Sequence, residues 1–149
     1  MGECSRRLWL VLGLGSLVML GCGAPLRYGS FLEGQDALQA SVATDAVEKI
    51  NALYPPERHS IQILHESRDP FGKRLIHGLR GSGYLVLESQ EQAATGYHGL
   101  SYVLDRVEGT DMLRVQLQVD DHALSRAYVQ RPDGLFPVGA WSSVGGGGS

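Results

Sequence analysis

From about Glu33 to Leu53, apolar residues recur at three- and four-residue spacing. Leu38, Val42, Ala46, Ile50 and Leu53 share one stripe, and Gln39, Asp45, Glu48 and Lys49 fall opposite it. That period predicts an amphipathic helix. Tyr54-Pro55-Pro56 ends it, because the residue before a proline is pushed out of the α region and the ring cannot continue the hydrogen-bond ladder. His59 to His65 is β-branched enough to predict a short strand. A second helix is announced by Asp69-Pro70-Phe71-Gly72: Asp69 can cap the free amides, and Pro70 fits the first helical position, where its missing N–H had no partner. Phe71, Leu75, Ile76 and Leu79 form its apolar stripe, and Gly81 or Gly83 supplies the left-handed stop. Tyr84 to Glu88 follows as a strand.

Beyond residue 99 the period changes from helical to alternating. Leu100 to Val107, Met112 to Val119 and Ala123 to Gln130 are strand-like runs with the spacing of an antiparallel meander. In the middle run Leu113, Val115, Leu117 and Val119 face one way and Arg114, Gln116 and Gln118 the other, so one face is buried and one wet. Arg131-Pro132-Asp133-Gly134 is a turn, and Leu135 to Val144 adds an edge strand expected to break at Pro137. The fold expected is α+β, with two helices packed on a small, mainly antiparallel sheet over residues 33–144. The Gly-rich tail 145–149 has linker composition and is set apart from the fold.

The first residues have a different logic. Arg6 and Arg7 precede an apolar run from Leu8 to Leu20, the order of a signal peptide, and the run is too short for a membrane span, which needs about 20 apolar residues. Met19-Leu20-Gly21-Cys22 then resembles a lipobox, with Met19 where leucine is commoner. The expectation is a signal peptide over 1–21, lipidation of Cys22 with a diacylglyceryl group and an N-acyl chain such as palmitate, and a flexible tether over 22–32. Multiple acyl chains give stable anchoring where one is marginal. Gly23, being other than aspartate, matches the sorting pattern of outer-membrane lipoproteins, which implies the periplasmic face of that membrane.

Composition narrows the function classes. The chain is 43% hydrophobic and 19% charged with a formal charge of −3, an ordinary globular balance that argues against sequence-independent nucleic-acid binding. Its two cysteines, Cys4 and Cys22, leave the body after leader removal with a single thiol at its first position, so no internal disulfide is expected.

A resemblance covers nearly the whole chain. Cys22, Leu53-Tyr54-Pro55-Pro56, Asp69-Pro70-Phe71-Gly72, Leu79-Arg80, Gly83-Tyr84, Leu100-Ser101-Tyr102-Val103-Leu104-Asp105, Leu113-Arg114-Val115 and Arg126-Ala127-Tyr128 stand in an order and spacing that resemble the TrbH family of conjugal-transfer lipoproteins. The helix-strand-helix-strand portion also resembles the small N0 or secretin-and-TonB N-terminal (STN) modules of secretion channels. The resemblance implies a structural part of the outer-membrane core of a type IV secretion system that moves plasmid DNA. Its partners would be other channel subunits and the membrane, in a multi-copy ring without direct nucleic-acid contact. A different class, a free-standing periplasmic lipoprotein that binds a peptide or protein on its sheet, is the alternative.

Catalytic and metal chemistry find little to build on. His59, His65, His77, His98 and His122 contain no pair at helical i, i+4 spacing and no cysteine partners, so neither a metal nor a cofactor is expected. Asp120-Asp121 predict a turn, since neighbours on a strand point to opposite faces. No nucleophile elbow, Walker loop or dinucleotide fingerprint occurs, and an enzyme is not expected. Tyr84, Tyr97, Tyr102, Tyr128 and Trp141 form either an interface patch or half-buried sheet positions. Ala24 to Phe31 is a candidate docking segment that adds to a partner's sheet edge through its backbone.

Overall fold

The computed structural model describes residues 27–145. The expected signal peptide, Cys22 and the end of the tail lie outside them. Nine elements follow in order: β1 (Gly29–Ser30), α1 (Asp36–Leu53), β2 (Ser60–Ile63), α2 (Pro70–Gly81), β3 (Val86–Glu88), β4 (Tyr97–Arg106), β5 (Met112–Val119), β6 (His122–Arg131) and β7 (Gly134–Val144). They form the α+β domain expected, with one seven-stranded sheet in the order β3-β2-β4-β5-β6-β7 and β1 paired separately with β4.

The sheet joins two halves at β4. On one side β2 and β3 run parallel to it, linked through α2 as a crossover. On the other, β5, β6 and β7 continue as an antiparallel meander. The β5 alternation predicts its burial completely: Leu113, Val115, Leu117 and Val119 are buried. They meet Leu100, Tyr102 and Leu104 of β4, Leu124 and Tyr128 of β6, and the apolar faces of both helices in one core.

The α2 signals act as expected. The Asp69 carboxylate accepts from the Gly72 amide at 2.8 Å, Pro70 opens the helix, and Gly83, at φ 98°, supplies the left-handed residue just past its end. In α1 the buried stripe is rotated from the expected one. Val42, Ala46 and Ile50 are buried, but Gln39, Ala43 and Val47 join them and Leu53 is 43% exposed. Helix α2 packs beside α1, and Val47 fits over Gly78, where a Cβ would approach to 2.8 Å.

Two further expectations are corrected. The tether was expected to be flexible over 22–32, yet Gly29 and Ser30 pair with Val103 and Leu104, the Phe31 amide donates to the Leu104 carbonyl at 2.8 Å, and Leu32 is buried. Backbone pairing and one core side chain therefore hold its last residues. Strand β7 is not broken at Pro137, which pairs opposite Tyr128; as an edge residue it lacks only an outward-facing donor. The irregularity comes later: Val138 pairs with Ala127 and Ser142 with Ser125, so Arg126 alone faces the intervening segment, where Gly139 takes φ 84°.

Candidate functional site

Polar side chains on the helix-covered face make three ties between layers. Asp45 of α1 accepts both oxygens' worth of contact from the Arg126 guanidinium at 2.8 Å, a short hydrogen bond from the Tyr128 hydroxyl, and a longer one from Trp141 Nε1 at 3.5 Å. Burial, and then the neighbouring Asp45, push the Tyr128 hydroxyl far above its ordinary pKa, so it remains a donor. Asp69 uses its second oxygen to accept from the Tyr102 hydroxyl at 2.7 Å. That hydroxyl, also held well above its usual pKa chiefly by burial, lies where a Cβ on residue 72 would sit. Gly72 is therefore set by close approach. Fully buried Gln39 donates to the Leu32 carbonyl at 3.1 Å and accepts from the Phe71 amide at 3.2 Å, linking α1, α2 and the chain after β1.

At the β1 end of β4, His65 occupies the gap between β2 and β1. Its Nδ1 donates to the Glu66 carbonyl at 3.1 Å, leaving Nε2 to accept from the Tyr102 amide at 3.2 Å. Burial lowers the imidazole's pKa, opposed by the Glu66 hydrogen bond and by Asp69, so the neutral form that can accept is favoured. Tyr28 stacks on the same ring at 5.3 Å between centroids.

The other end of β4 holds a cluster that spacing along the chain does not reveal. His98 Nδ1 donates to the Asp120 carboxylate at 2.6 Å, and His98 Nε2 accepts from His59 Nδ1 at 2.8 Å. Asp120 adopts φ 52°, its other oxygen accepts from the Gly99 amide at 2.8 Å, and its own amide donates to Gly99 O at 2.9 Å. Tyr54 packs against His59, His98 and His122. Its hydroxyl, raised in pKa by burial and then by Asp120 and Asp121, lies 2.7 Å from His122 Nδ1, and its carbonyl accepts a short bond from Tyr84. Burial, with a lesser contribution from Glu57, pushes the Tyr84 hydroxyl up to about 12. Tyr54 thus closes the core where α1 ends. Three of the five histidines converge here, yet among the described residues no group of three or more His, Cys, Asp or Glu is placed to hold a metal ion.

Other candidate residues separate. His77 is exposed on α2, apart from the cluster. Asp120 and Asp121 form the turn between β5 and β6, as their adjacency suggests. The aromatic patch does not form: Tyr84, Tyr102 and Tyr128 are core residues with their hydroxyls tied inward, and Trp141 is half-buried against Asp45. Within the proposed docking segment, Gly29 and Ser30 add to the domain's own sheet. What stays open is backbone on the edge strands β3 and β7, and a shallow groove on the helix-free face bounded by Tyr28, Val103, Gln116, Ser125 and Val144. No helix among the described residues is long and apolar enough to cross a membrane.

Comparison with curated proteins and with solved structures finds no match. A family model does match, described as conjugal transfer protein TrbH, over residues 26–145. Those limits enclose every element from β1 to β7 and every tie between layers just described, and the chain belongs to the TrbH family of conjugal transfer proteins.

Proposed function

We propose that this protein is a structural lipoprotein of a conjugative type IV secretion system. In this reading Cys22 carries the lipid and holds the domain at the periplasmic face of the outer membrane, where it helps assemble or stabilise the core complex through which plasmid DNA passes. The observation that carries the proposal is the family match over the whole folded body, preceded in the same chain by a basic residue pair, a short apolar run and Leu20-Gly21-Cys22.

Other channel subunits are the partners in this reading, engaged in a multi-copy assembly. Strand β7 supports such docking: Gly134–Val144 lies at the sheet edge and carries no charged side chain, and Phe136 and Val138 are exposed. Uncharged edges are the ones that accept another strand. Family membership favours this reading over a free-standing peptide-binding lipoprotein.

The test is affinity purification of the tagged protein from membranes of mating donors. The proposal predicts that other channel subunits copurify and that Cys22→Ala releases the protein from the membrane and lowers mating frequency. Recovery without any channel subunit, or normal mating without the protein, would reject it.

A further inference from the structure

The corner of the domain that carries β1 is the part nearest any lipid on Cys22. Only Gly23–Arg27 separate that cysteine from Tyr28. At ~3.4 Å per residue, even a fully extended chain gives Tyr28 a reach of about 20 Å from the cysteine. From Tyr28 onward there is no slack, because Gly29 and Ser30 pair with β4, the Phe31 amide bonds to Leu104, and the Leu32 carbonyl is held by Gln39.

This corner presents apolar surface. Tyr28 is 41% exposed and Phe31 50%, one on each side of β1, and exposed Arg27 precedes them. A tyrosine and a phenylalanine beside a cation are side chains that settle at a bilayer's interface, the tyrosine with its hydroxyl at headgroup level and the phenylalanine with its ring in the acyl boundary. Exposed Glu33 follows Phe31 by two residues; Asp105, one position beyond the Ser30–Leu104 pair, is matched by Arg114 at 2.7 Å, and Asp69, beside Gly29, is held by the Gly72 amide and the Tyr102 hydroxyl.

We infer that Tyr28 and Phe31 seat the β1 corner on the lipid bilayer itself, so that the domain is oriented as well as tethered. This rests on acylation of Cys22. The occupant is a lipid surface, because the Cys22-to-Tyr28 distance brings this corner to the bilayer before any other part of the sheet. A consequence is polarity: β4 points its histidine-bearing end away from the membrane, about 20 Å from the β1 register at ~3.3 Å per residue. That end, with Tyr54, His59, His98 and His122, then faces the periplasm.

The experiment uses acylated full-length protein purified from membranes, with one added cysteine at Phe31→Cys, Tyr28→Cys or, at the opposite end, Glu57→Cys. Each bears an environment-sensitive fluorophore. The protein is reconstituted into phosphatidylethanolamine–phosphatidylglycerol vesicles containing a headgroup-level nitroxide lipid. Labels at 28 and 31 should show blue-shifted, strongly quenched emission, and the label at 57 should remain water-like and unquenched. Equal quenching at 31 and 57, or none at either, with an intact mass showing acylated Cys22, overturns the inference and leaves the anchoring reading standing. An unacylated Cys22 overturns both. Protection of 28 and 31 only when other channel subunits are added assigns the corner to a protein partner and also overturns it.

Discussion

The two ends of β4 are built from similar side chains to different purposes. At one end His65, Tyr102 and Asp69 lock a neighbouring strand and a helix start around a single amide and hydroxyl. At the other, His59, His98 and Asp120 form a chain of hydrogen bonds at the half-exposed rim of the sheet, with Tyr54 packed against both rings and bonded separately to His122. The first end has no room to change, since Gly72 exists to admit the Tyr102 hydroxyl. The second is wetter, with the His98 and Asp120 side chains 29% and 43% exposed.

The largest expected effect comes from the rigid end. Gly72→Ala places a methyl group onto the Tyr102 hydroxyl and within 2.8 Å of Ser67 Cβ. It should lower unfolding free energy by about 3 kcal/mol in denaturant titration. Loss below about 0.5 kcal/mol would show that Tyr102 can move aside. Next comes Asp69→Ala, which removes both a helix cap and the Tyr102 acceptor. A loss of about 2 kcal/mol is expected, and Asp69→Asn should recover part of it through the retained oxygen. At the wetter end, Tyr54→Phe deletes only the bond to His122 and should cost about 1 kcal/mol. An effect larger than that of Asp69→Ala would invert the comparison.

The smallest effect is pH-dependent. The folded-state pKa of His65 lies below its ordinary 6.5, because folding favours the neutral ring. Between those two values the unfolded chain binds more protons, so the His65 contribution is full above pH 6.5 and is lost as pH falls through that window toward the folded pKa. His65→Phe should flatten the acid side of the stability profile relative to the parent protein, at a neutral-pH cost of about 1 kcal/mol for the orphaned Tyr102 amide. Parallel profiles would assign the acid slope to other groups.

What the sequence made legible follows from how local each signal is. The β5 alternation, the Asp-Pro start of α2 and the Asp120-Asp121 turn depend on neighbours a few residues apart, and each appears as expected. The α1 stripe was displaced because Gln39 looks polar, yet its amide satisfies Leu32 and Phe71 from distant segments. Asp45 looks like a solvent-facing acid, and its partners lie in β6 and β7. The histidine cluster was invisible for the same reason: His59, His98 and His122 meet only because β2 and β4 run parallel and β6 turns back beside β5. Strand β1 is two residues long, too short for any periodicity to announce it.

The account turns on the thiol of Cys22. Labelling cells that express the protein with radioactive or alkyne-tagged palmitate, followed by mass determination of the purified N-terminus, tests it most directly. The prediction is a mature chain beginning at Cys22 with a thioether-linked diacylglyceryl group and an amide-linked acyl chain, with label absent in Cys22→Ala. An unlabelled protein that begins at Met1 would contradict it.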